Sequence, residues 1–180
     1  MAIAYIKENA EKLSVNPEKV CAIGFSAGGH LCAMLATLTG EKVIKDFLGE
    51  RARLCRPDAV ILSYAVISWG EFSHVGSFEN LCGGNKELMQ QLSLEKRVTK
   101  DSVPAFIWST FEDDAVPCEN SLQMALAYKM AGVPMELHVF EKGWHGLSLA
   151  NSEVNSPVLS TSKWVKLAQT WLENRGFVVK

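Results

Sequence analysis

Residues Gly24-Phe25-Ser26-Ala27-Gly28 fit G-x-S-x-G, the pattern of a serine exposed on a sharp turn between a strand and a helix. The residues two before and two after such a serine must be small for strand and helix to pass closely, which is the role expected of Gly24 and Gly28. A serine hydroxyl attacks a carbonyl at neutral pH only when a histidine removes its proton and a carboxylate holds that histidine in the right tautomer. The chemistry on offer is acyl transfer. The Ala27 N–H, at the positive end of the following helix, is placed to meet the oxygen of a bound ester carbonyl.

Four histidines compete for the role of base. His30 lies on the helix after Ser26 and reads as a packing or hydrogen-bonding residue. His138 sits inside the alternating run MELHVF and reads as structural, and His74, in a polar stretch, reads as solvated. His145 stands in Gly143-Trp144-His145-Gly146, directly after a strand run, where an open α/β sheet places its chemistry. For the carboxylate, Glu112, Asp113 and Asp114 follow the run AFIWST. Asp113 is favoured over Asp114, and a solvated acidic turn is the bland alternative for either. Serine, then aspartate, then histidine is the chain order of α/β-hydrolases.

The elements needed to position these groups are visible in the periodicity. Ile3, Ile6, Ala10 and Leu13 mark a first helix that Asn16-Pro17 stops. Residues Val20 to Phe25 form a short apolar run, as in a strand covered on both faces. After Ser26 the period changes: Leu31, Met34, Leu35 and Leu38 define a helix for which Gly40 supplies a stop. Further strands are expected at Ala59 to Tyr64, Ala105 to Thr110 and Met135 to Phe140. Helices are expected at Ser121 to Ala131 and around Trp164, Leu167, Ala168, Trp171 and Leu172. This alternation predicts an α/β fold with an open, mostly parallel sheet and flanking helices. Residues 70 to 103 are polar, carry Gly83-Gly84 and one short helical pattern, and read as a small insertion over the sheet's edge.

At 180 residues with 48% hydrophobic and 21% charged side chains, the chain fits one globular domain, residues 1–180. A net charge of −2 without a run of Lys or Arg argues against nucleic acid and against an anionic membrane as partner, and favours a small substrate. The five cysteines, without CxxC spacing, read as buried thiols of a reducing compartment. No apolar run reaches about 18 residues and the N-terminus is amphipathic, so a soluble cytoplasmic chain is expected. No His/Cys/Asp cluster has ligand spacing, so no metal or other cofactor is expected.

The stretches GFSAGGHL, RPDAVILSYAVIS, GSFENLCGG, STFEDDAVPCENSL and HVFEKGWHGLSLA together resemble the α/β-hydrolase carbohydrate esterases. These are the acetyl-xylan and feruloyl esterase-like proteins related to the hormone-sensitive-lipase esterases. The resemblance covers nearly the whole chain. It implies Ser26 as nucleophile, Asp113, four residues before Pro117, as the acid, His145 as general base and Ala27 as one oxyanion donor. It also implies small acyl esters as substrates, such as acetylated or feruloylated xylan fragments. That family carries strands before the elbow strand and an HGG-type loop bearing a second oxyanion donor. Residues 1–20 offer neither, so an N-terminally truncated member is expected. Its Val20 to Phe25 strand would then form an exposed apolar edge, inviting homodimerisation. A peptidase of the same fold, or an inactive fragment or binding module retaining the elbow by descent, are the rival readings.

Overall fold

In the computed structural model, which describes residues 1–38 and 40–177 apart from the Val43 side chain, four strands form one parallel sheet. They are β1 (Cys21–Phe25), β2 (Ala59–Ser63), β3 (Ala105–Thr110) and β4 (Met135–Phe140), adjacent in sequence order. The registers Cys21↔Ala59, Val60↔Ala105 and Ala105↔Met135 keep the strand ends nearly level. The loops leaving β1, β3 and β4 therefore emerge on one side of the molecule.

The helices are α1 (Ala2–Glu8), α2 (Ala10–Leu13), α3 (Ala27–Thr37), α4 (Lys42–Leu48), α5 (Val75–Cys82), α6 (Lys86–Gln91), α7 (Glu119–Met130) and α8 (Trp164–Asn174). Every residue of β2 and β3 is buried, which accounts for their unbroken apolar runs. Alternate side chains divide two cores. Val60, Leu62, Ala105 and Ile107 pack with residues of α3 and α7, whereas Ile61, Phe106 and Trp108 pack with Trp164, Ala168 and Trp171 of α8. No helix among the described residues is long and apolar enough to cross a membrane.

Several details differ from the periodicity. The first helix is divided at Asn9, and its buried residues are Ala4 and Ala10. β2 ends at Ser63 because Tyr64 turns to φ 37°, which a strand does not admit. α3 ends at Thr37, so its C-cap is Leu38 and Gly40 lies beyond it. Residues 70 to 103 hold two α-helices rather than one, each opened by a side-chain cap, and a 3-10 turn at Leu94–Arg97. His74 accepts from Ser77 N–H and Asn85 accepts from Leu88 N–H. Between the helices, Gly83 and Gly84 take φ of 58° and 80°. This segment enters the core: Leu94 is buried with residues of α3 and α7, and Phe78 packs on Val66 and Val116 beyond the ends of β2 and β3. The middle of the sheet, not its edge, receives it.

Candidate active site

Ser26 links β1 to α3 with φ 54° and ψ −121°, a conformation that costs a non-glycine residue about 1–3 kcal/mol. The turn is held from three directions. Its N–H donates to the Ser63 carbonyl at 3.0 Å, and its carbonyl accepts from Val66 N–H and His30 N–H, each at 3.2 Å. A Cβ on Gly24 would strike the Gly28 carbonyl and lie 2.8 Å from Cys32 Sγ. The second tight position is Gly29, where a Cβ would strike Ala65; at Gly28 the space is open. The close approach expected at Gly28 thus falls one residue later.

The structure brings Ser26, His145 and Asp113 together. Ser26 Oγ lies 2.8 Å from His145 Nε2, and His145 Nδ1 lies 2.7 Å from Asp113 Oδ2. A carboxylate only accepts, so the Nδ1 proton belongs on the side of Asp113 and Nε2 is left to accept from the serine hydroxyl. Asp113 has a fully buried side chain whose other oxygen, Oδ1, accepts from Ala115 N–H at 3.1 Å and Val116 N–H at 2.9 Å. Asp114 is exposed. The Ala27 N–H opens α3 and meets no acceptor among the described residues.

Two supports were not singled out in the sequence. The Tyr64 ring meets the His145 ring edge-on, with centroids 5.0 Å apart, and also meets the Trp108 ring edge-on at 5.1 Å. Its hydroxyl accepts from Ser148 N–H at 3.0 Å, tying the end of β2 to the loop that carries His145. Glu112, one of the three adjacent acids, holds the start of that loop. It accepts from Lys142 Nζ at 2.6 Å and from Gly143 N–H at 3.1 Å. The bond from Lys142 foremost, with that from Gly143, holds the Glu112 carboxyl below its ordinary range.

The remaining histidines have separate partners. His30 is buried with Nε2 2.9 Å from the Leu92 carbonyl, and its burial lowers its pKa, favouring the neutral ring. His74 caps α5, and its Nδ1 lies 2.8 Å from Ser77 Oγ, so it is engaged rather than merely solvated. His138 pairs with Glu136 at 2.8 Å. All five cysteines are free, and burial pushes the thiols of Cys21 and Cys32 up to about 12 and about 11, the opposite of an activated nucleophile. Among the described residues no group of three or more His, Cys, Asp or Glu is arranged to hold a metal ion.

A parallel sheet covered by helices on both faces, with a serine elbow after one strand and acid and histidine loops after two others, defines an α/β-hydrolase fold. Within that class the chain belongs to the BD-FAE family, whose sequence profile matches residues 1–128. It is 42% identical over 155 residues to endo-1,4-beta-xylanase B of Butyrivibrio fibrisolvens, covering 84% of this chain and 24% of that one. It is 34% identical over 148 residues to an acetylxylan esterase of Xylanibacter ruminicola, covering 78% of this chain and 28% of that one. The crystal structure of an acetyl ester-xyloside bifunctional hydrolase from Caldicellulosiruptor lactoaceticus superimposes with a TM-score of 0.86 at 39% identity. That match takes in 99% of this chain and 64% of the other. The chain thus spans about a quarter of the length of these curated relatives and just under two thirds of the solved one.

Proposed function

We propose that the chain is a serine carboxylic-ester hydrolase working through an acyl-enzyme. The observation that carries this reading is the unbroken contact from Ser26 Oγ through the His145 ring to the buried Asp113 carboxyl, with the serine held in a strained turn. Ser26 Oγ attacks the ester carbonyl carbon as its proton passes to His145 Nε2. The carbonyl oxygen gains negative charge and turns toward the Ala27 N–H. Collapse of that intermediate breaks the bond to the alkoxy oxygen, which leaves as alcohol with the proton from His145. Water, deprotonated by His145, then attacks the acyl carbon, and the acid departs as Ser26 recovers its proton. Asp113 holds the Nδ1–H and stabilises the imidazolium.

The names of the relatives, an acetylxylan esterase and an acetyl ester-xyloside hydrolase among them, support acetylated xylan fragments as the substrate class. We propose separately that β1, an outer strand of the described sheet, is the seam of a homodimer.

The test is hydrolysis of p-nitrophenyl acetate and of acetylated xylo-oligosaccharides by the chain and by its Ser26→Ala variant, both checked for folding. Turnover by the first alone supports the esterase. Equal inertness of two folded proteins supports a non-catalytic module, and cleavage of aminoacyl amides in preference to esters supports a peptidase.

A further inference from the structure

Beside the elbow lies a cavity of about 250 Å³. One wall is Ala27, Leu31 and Met34, a single face of α3, and the other is Phe78 and Leu81 of α5, with Val66 between them. Two of these residues belong to the elbow's own contacts: Ala27 follows Ser26, and Val66 N–H donates to the Ser26 carbonyl. The cavity therefore lies directly beside the elbow, lined by the residue that follows Ser26 although Ser26 itself is not part of its wall. Leu31 and Leu81, 58% and 51% exposed, form its rim.

The polar groups that reach this space already have partners. His30 Nε2 is engaged with the Leu92 carbonyl and its ring is held toward the neutral form, and Ser77 Oγ is engaged with His74 Nδ1. A ligand entering the cavity meets hydrocarbon. A sugar hydroxyl placed there would lose water and gain no bond, a cost of about 1–3 kcal/mol for each group.

Resting on the esterase reading, we propose that this cavity is the acyl pocket and that it accepts, beyond the acetyl group of the substrates proposed above, a longer aliphatic acyl group of up to about eight carbons, which gains by each methylene it buries. The direction follows from proton transfer. The leaving alkoxy oxygen must stay within reach of His145 Nε2, yet neither Asp113 nor any residue of the loop carrying His145 lines the cavity. The alcohol lies on the His145 side and the acyl group on the α3 and α5 side. As for size, a dry apolar cavity of about 150 Å³ holds benzene, so this one is far larger than an acetyl methyl needs.

The experiment is kcat/KM for p-nitrophenyl acetate, butyrate and hexanoate in the chain and in Leu31→Trp and Leu81→Trp, two rim substitutions that fill the cavity without disturbing the core. Each added methylene is expected to raise the value roughly fourfold, from the free energy of burying a CH2. Both tryptophan variants should lower the hexanoate-to-acetate ratio about tenfold or more. A series that is flat or highest on acetate, or a ratio unchanged in both variants, overturns the pocket while leaving the esterase in place. If no ester turns over, the esterase reading fails on its own and the acyl assignment with it. The cavity is then judged without turnover, from the methyl resonance of Met34. A shift with hexanamide and none with acetamide supports an apolar binding site, and no shift with either overturns it.

Discussion

Asp113 and Asp114 are adjacent in sequence and differ in everything that matters for a proton relay. Asp113 Oδ1 is fixed by the Ala115 and Val116 N–H groups, and this leaves Oδ2 for His145. An asparagine at this position would keep its oxygen against those two donors and turn its NH2 toward the imidazole. Nδ1 would then have to accept, the Nε2 proton would point at Ser26, and the base would be lost while the fold survives. Asp113→Asn is therefore expected to lower kcat on p-nitrophenyl acetate by about 10⁴-fold, and Asp114→Asn by less than about twofold, with unchanged near-UV circular dichroism in both. Equal losses at the two positions would remove Asp113 from its proposed role. The meeting of Ser26, Asp113 and His145 was legible in the sequence because each combines a reactive side chain with a place just after a strand run. The roles of Tyr64 and Glu112 were not: Tyr64 carries no such signal, and Glu112 stood only as one of three adjacent acids, because what each does depends on a distant partner. Tyr64 acts through a contact with Ser148, 84 residues away, and Glu112 through Gly143, 31 residues away.

At the scale of elements, the turn between β1 and α3 depends on two glycines, and the motif points to only one of them. Adding a methyl at Gly24 drives it into the Gly28 backbone, and adding one at Gly29 drives it into Ala65, where neither neighbour is the free end of a flexible side chain. Gly24→Ala and Gly29→Ala are each expected to cost about 1–3 kcal/mol in urea denaturation. Gly28→Ala meets open space inside a helix, so it is expected to be neutral or stabilising by up to about 1 kcal/mol. A loss at Gly28 as large as at Gly24 would contradict this packing. The four strands were legible to within a residue: β2 and β3 because burial on both faces leaves unbroken apolar runs such as AVILS, β4 through the alternation of MELHVF, and β1 through its short apolar run before the serine. Residues 70 to 103 were not. The helices there are short, are started by His74 and Asn85 caps, and bury isolated residues such as Phe78 and Met89, so no long apolar period announces them.

For the whole molecule the decisive feature is an asymmetry between the sheet's centre and its first strand. β2 and β3 are wholly buried, whereas β1 pairs only with β2 among the described residues and leaves Ile23 47% exposed. An unpaired strand edge bearing an apolar side chain is a template for another strand. A two-fold axis between two copies would set β1 against β1 in antiparallel register and send the two Ser26 sites to opposite ends of a continuous eight-stranded sheet. If β1 is the seam proposed above, sedimentation velocity across an about hundredfold concentration range should show a monomer passing into a dimer, since mass action makes such an association concentration-dependent. Ile23→Lys, which adds a charge to the edge without touching the core, should hold the chain monomeric over that range. A wild type that stays monomeric throughout would show that this edge is not complementary to itself. A dimer indifferent to Ile23→Lys would place the contact elsewhere. If the lysine variant is monomeric and keeps its full ester hydrolysis, Ser26, His145 and Asp113 act within one chain, and the edge serves association alone.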